Sequence, residues 1–189
     1  MVNIGEMKEL LTLEYLNSIP SYKGDLGEIL AIAHFEKINQ GFIHVNSSIW
    51  SYPPKMKEVN AKRPDFYLIP MNESVTVIDV KYHQLNENMD FIIEKDEMIK
   101  YLELHQYLMN LHGKSATESD YIDIRFLVIP SVTQGNAFAN VSLTEIANNR
   151  INTKKTFPGN ESFTITRFIV SVKDRLIKLG TENEPYTMD

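Results

Sequence analysis

Asp65, Asp79 and Lys81 are the residues of this chain whose types and spacing could do chemistry. They lie in RPDFYLIPMNESVTVIDVKY, residues 63–82, which is otherwise largely apolar. A turn centred on Asn72 sets Asp65 opposite Asp79, each equally far from the centre. Side chains directly opposed on an antiparallel pair are about 5 Å apart at Cβ. Lys81 is two residues past Asp79 and therefore on the same face. Two carboxylates in one half-buried place repel each other and are costly to desolvate. A divalent cation offsets that cost. Mg²⁺ is commonly held by one or two carboxylates, with waters and substrate phosphate completing its shell. The backbone carbonyl of Val80 offers a further oxygen. A lysine beside such an ion can orient or help deprotonate an attacking water, or stabilise developing negative charge. This is the equipment for metal-assisted phosphodiester hydrolysis.

Such residues need a sheet to hold them. Strands at about 65–69 and 75–82 flank the turn. The second strand carries Val75 and Val77 on the Asp79 face and Thr76, Ile78, Val80 and Tyr82 on the other. Both faces are largely apolar, as in an interior strand. Upstream, Met7, Leu10 and Leu11 have helical spacing within residues 6–17. A second helix runs from near Gly24–Asp25 to Asn39 and is closed by Gly41. FIHV is a short strand, and a Pro-Pro loop covers 51–64. Downstream, a polar loop leads into the helix KDEMIKYLELHQYLMNLHG, ending at Gly113. YIDIRFLVIP is a buried strand stopped by Pro130. SLTEIANN opens with a Ser-x-x-Glu capping pattern, SFTITRFIVSV is a strand and KDRLIKLG a last helical turn or two. The order predicts a layered α/β domain with a central mixed sheet flanked by helices.

Pro64–Asp65, followed after a turn by Asp79–Val80–Lys81, resembles the PD-(D/E)XK nuclease superfamily. The element order is similar to that family's restriction-endonuclease-like αβββαβ core over roughly residues 20–130. The C-terminal part matches nothing in the pattern. Family members often carry a glutamate on the preceding helix in a G-x-x-G-E context, and KGDLGEILA supplies Gly24, Gly27 and Glu28. The resemblance implies Glu28, Asp65, Asp79 and Lys81 as catalytic residues. It implies Asp65, Asp79, the Val80 carbonyl and Glu28 as the site of Mg²⁺ or Mn²⁺. Some branches of the family place a Gln and then a Tyr four residues on in the helix after the lysine. Here Gln106 is followed at that spacing by Asn110, so the branch motif is not met and Gln106 is an accessory candidate. The implied partner is nucleic acid, DNA ahead of RNA, and a homodimer is compatible with it.

The bulk properties bound these expectations. With 189 residues, 43% hydrophobic, the chain suits one domain with a substantial core. It has no cysteine, which excludes disulfides and thiolate metal sites. No stretch reaches the roughly 18 apolar residues of a membrane span, and the N-terminus lacks a secretion-signal pattern. A cytoplasmic protein that does not enter membranes is the expectation. The net charge of −6 weighs against nucleic acid in bulk. Binding depends on where charge sits, however. Lys55, Lys57, Lys62 and Arg63 stand against Glu58 alone within 51–63, a basic segment that can track phosphates. Two other functions stay open on the sequence: a non-catalytic module of the same fold that binds nucleic acid or a protein, and an RNA-cleaving toxin or defence effector.

Overall fold

The structure is a computed structural model that describes residues 20–45, 51–69, 74–156 and 162–188. The expected helix at 6–17, the hairpin turn at 70–73 and Trp50 lie outside the described residues. Two stretches of the chain are apolar on both faces, Val75–His83 (β3) and Ile122–Pro130 (β5). They pair in parallel over their whole length, Val75 with Ile122 through to His83 with Pro130. Around them a six-stranded mixed sheet forms in the order β1 (Phe42–His44), β2 (Phe66–Leu68), β3, β5, β6 (Ala137–Ser142), β9 (Ile177–Lys178). A second, three-stranded antiparallel sheet holds β4 (Asp90–Glu94), β8 (Ser162–Ser171) and β7 (Arg150–Thr156) in the order β4-β8-β7. The expected α/β architecture with a central mixed sheet is therefore present.

Helices cover both faces of the large sheet. Ile78, Tyr82, Leu127 and Ile129 pack on Leu30, Ala31 and Phe35 of α1 (Pro20–Lys37). Val77, Ile124, Phe126 and Val128 pack on Met98, Tyr101, Leu104 and Leu108 of α3 (Lys95–Leu111). The second sheet extends this core through Phe91, Ile93 and Val170. Each fully buried Leu, Ile or Phe contributes roughly 1.5–3 kcal/mol. Double-sided burial is why β3 and β5 read as near-continuous apolar runs.

Several expected boundaries shift. The chain is already helical at Pro20, before the expected start at Gly24–Asp25, because proline fits the first turn of a helix. Asn39, not Gly41, takes the left-handed turn that ends α1 (φ 56°). The Pro-Pro segment contains a short helix, α2 (Pro54–Glu58). Residues 90–94, expected as loop, form β4, and β6 and β7 were not expected. KDRLIKLG is one 3₁₀ turn followed by β9. The capped helix is present as α4 (Leu143–Asn148), where the Glu145 N–H donates to the Ser142 hydroxyl at 3.0 Å.

Candidate active site

The site begins where the β2–β3 hairpin opens. Phe66 pairs with Ile78, Tyr67 with Val77 and Leu68 with Thr76, the register expected from a turn centred on Asn72. The Asp65 N–H still donates to the Ile78 carbonyl at 3.0 Å. Beyond this point β3 continues beside β5 alone. The Val80 N–H therefore has no β2 backbone to meet, and it donates to Asp65 Oδ2 at 2.7 Å. In an extended strand a residue's amide and carbonyl face the same edge, so the Val80 carbonyl turns toward the fork as well.

Alternation along β3 sends Asp79 and Lys81 to the α3 face. There they meet Glu97 and Tyr101, one helical turn apart. Lys81 Nζ is 3.0 Å from Asp79 Oδ2 and 2.7 Å from Glu97 Oε1. The Tyr101 hydroxyl donates to Asp79 Oδ2 at 2.8 Å and approaches Glu97 Oε1 at 3.3 Å. Asp79 is only 3% exposed, yet its Oδ1 has no hydrogen-bond partner among the described residues. A polar oxygen desolvated in this way is costly to leave unpaired.

The electrostatics follow from that crowding. Burial pushes the Asp65 carboxyl up to about 7. The Asp79 and Glu28 charges add to the rise, against the Val80 N–H and Lys81. Burial works against the Lys81 ammonium, but Asp79 and Glu97 outweigh it and hold its pKa above the ordinary value. Burial also works against the Glu97 carboxylate, yet Lys81 holds it below the usual range, with help from Lys62 and Tyr101. Burial and the neighbouring carboxylates keep Tyr101 a neutral donor, its pKa far above ordinary.

The expected residues do not all converge. Asp65, Asp79 and Lys81 come together. Glu28 stays on α1, on the opposite face of the sheet, with its carboxylate 2.6 Å from His44 Nε2. Its neighbour Gly27 lets α1 press onto β3: a Cβ there would stand 3.1 Å from Tyr82 Cβ and 3.2 Å from Val80 Cγ1. Glu28 thus reaches Asp65 only through its field. Among the described residues no group of three or more His, Asp or Glu side chains that could hold a metal ion is found. Gln106 is exposed, bonded to Asn110 at 3.0 Å, and half a helix circumference from Glu97; it does not approach the site. Lys57, Lys62 and Arg63 line a cavity together with Asp65, whereas Lys55 does not.

Glu97 was not singled out in the sequence, and Tyr101 stood on the predicted helix without a role. Their i, i+4 spacing on a helix following the hairpin is the only signal there was, and it does not say which face turns inward.

The pair nevertheless suits a hard divalent ion. The unpartnered Asp79 Oδ1, the strained Asp65 carboxyl and the Val80 carbonyl are all oxygen donors, the set Mg²⁺ prefers when waters and phosphate fill the rest of its shell. Comparison with family models, with curated proteins and with solved structures returns no match. The fold and site together define an α/β domain with a mixed sheet and a buried acid–lysine cluster at its hairpin fork. No described helix is long and apolar enough to cross a membrane.

Proposed function

We propose that this protein is a divalent-metal-dependent nuclease of the PD-(D/E)XK type, hydrolysing phosphodiester bonds of nucleic acid, DNA ahead of RNA. One observation carries the reading: Asp65, bonded to the Val80 N–H, lies within the field of Asp79 at the hairpin fork, with Lys81 in contact with Asp79. The succession of α1, the antiparallel run β1-β2-β3, then α3 and a β5 parallel to β3 supports it, being the order the resemblance implies. The chain departs from that order by inserting α2 before β2 and β4 before α3.

Asp65, Asp79 and the Val80 carbonyl would hold Mg²⁺ or Mn²⁺. Such an ion, when bound, polarises a phosphoryl oxygen and makes water a better nucleophile. Lys81 remains an ammonium at neutral pH, since its pKa is raised. As an ammonium it donates hydrogen bonds and stabilises negative charge. Glu97 and Tyr101 hold Lys81 and Asp79 in place.

The test is incubation with plasmid, linear duplex, single-stranded DNA and tRNA, in Mn²⁺ and in EDTA, beside Asp79→Asn. Cleavage that needs Mn²⁺ and disappears in the variant is expected. Metal-dependent cleavage that survives Asp79→Asn, or its complete absence on all four substrates, overturns the reading.

A non-catalytic module of this fold is the second reading. It is favoured by the lack of a three-donor cluster among the described residues. Calorimetric titration separates the two, because the module takes up neither Mg²⁺ nor Mn²⁺ at millimolar concentration.

A further inference from the structure

A cavity of about 480 Å³ opens beside the acidic pair, and its lining is strongly positive. Its walls come from three places. Lys57 stands on α2, Lys62 and Arg63 on the segment leading into β2, and Lys100 on α3. Tyr52, Asn60 and Asp65 also line it, with Val45, Ala61 and Pro64. Among the described residues Asp65 is the only acid of that lining, so four cations face one carboxyl.

The walls are held by backbone and core contacts. Met56 and Ala61 are buried and anchor α2 and the following turn. The Ala61 N–H donates to the Met56 carbonyl at 3.0 Å, and Asn60 takes a left-handed conformation (φ 54°) that turns the chain back. That turn is why Lys62 and Arg63 follow Lys57 around one space. The Lys62 N–H then donates to the Lys100 carbonyl at 2.8 Å, tying the segment to α3. The Arg63 guanidinium lies over the Tyr52 ring, 5.5 Å from its centroid. Lys62 Nζ is 3.7 Å from Glu97 Oε1. Lys57 and Lys100 make no ion pair among the described residues. Holding Lys57 and Lys100 beside Lys62 and Arg63 costs Coulomb energy, and a polyanion lowers that cost.

We propose that this cavity is a metal-independent clamp for the sugar–phosphate backbone of nucleic acid, with Lys57, Lys62, Arg63 and Lys100 as its cations. It is too small to admit a duplex, so one strand enters and its phosphates are gripped. Phosphate contacts position a strand without reading its bases, and binding is therefore indifferent to sequence. Lys100 belongs to this set although it is 37 residues from Arg63 in the chain. The clamp rests on the nuclease reading only for its place beside the scissile phosphate; its affinity does not.

Binding is measured by fluorescence polarisation of a labelled 20-nucleotide strand and its duplex, in EDTA, between roughly 50 and 200 mM salt. The proteins are wild type, Lys57→Ala/Lys100→Ala and a charge control, Lys114→Ala/Lys173→Ala. The clamp variant is expected to bind about tenfold or more weakly. Its log–log salt slope should fall by about 1–2, near 0.7–0.9 for each phosphate no longer neutralised. The control stays within about twofold of wild type. Equal weakening in clamp and control variants, an unchanged clamp variant, or no binding by wild type overturns the proposal. Mn²⁺-dependent cleavage alongside an unchanged clamp variant overturns the clamp and leaves the nuclease standing. Clamp-dependent binding with no cleavage supports the clamp and sinks the nuclease.

Discussion

Asp65→Asn tests the strain at the hairpin fork directly. In the metal-free protein the Asp65 carboxyl is held at about 7, against an ordinary 3.8. An acid whose folded pKa is raised keeps its proton in the native state after the unfolded chain has released it. Its contribution to stability is therefore lost as pH rises from about 4 to 7, and is constant above that. At about 1.36 kcal/mol per pH unit the full loss is at most about 4 kcal/mol. Asp65 is only partly buried, and solvent screening brings this to about 2 kcal/mol. Asparagine removes the charge but keeps an oxygen for the Val80 N–H. The variant should equal wild type near about pH 4 and exceed it by about 2 kcal/mol above about pH 7.5. For a chain of this size that is roughly 4–8 °C in melting temperature. Thermal and urea melts in EDTA across that pH range read the difference. A variant no more stable than wild type at about pH 8, or a gap that does not widen with pH, refutes the reasoning. Mn²⁺ added at that pH should stabilise wild type and leave Asp65→Asn unmoved.

Lys81→Met should abolish cleavage and lower stability by about 3 kcal/mol in urea melts, since buried Asp79 keeps only the Tyr101 hydroxyl. Tyr101→Phe removes that hydroxyl alone and should cost about 1–2 kcal/mol by the same measurement; a neutral result would mean the bond contributes nothing. Gly27→Ala gains helix propensity but sets a Cβ 3.1 Å from Tyr82 Cβ, which the strand backbone fixes. A net loss of about 1 kcal/mol is expected, with greater exposure of the Glu28–His44 contact to hydrogen exchange around β1.

The hairpin was legible because its determinants are local. Alternation of side chains about a predicted centre at Asn72 gives the register, and a slip of one residue would turn Asp79 and Lys81 to the other face. The long helix α3 and strand β5 were legible for the same reason, since period and punctuation lie within each segment. DFIIE and RINTKKT were not read as strands. Their partner is β8, whose Val170 stands opposite Phe91 and whose Phe168 stands opposite Arg150, and neither pairing is encoded near the strand it completes. β6, AFANVS, is short and carries no clean alternation, and it is a strand because β5 lies beside it.

At the site the division is similar. The sequence by itself determined which chemical groups share the hairpin and which of them face one another: Asp65 across from Asp79, with Lys81 beside it. Only the tertiary structure decided what else meets them. Packing of α3 against Phe126 and Val128 rotates Glu97 and Tyr101 inward and Gln106 outward. Close approach of α1 at Gly27 leaves Glu28 with His44, and the turn at Asn60 brings Lys57 and Lys62 to Lys100. Register within a hairpin follows from neighbours in sequence, whereas the rotation of a helix on a sheet follows from the sum of buried contacts with distant strands.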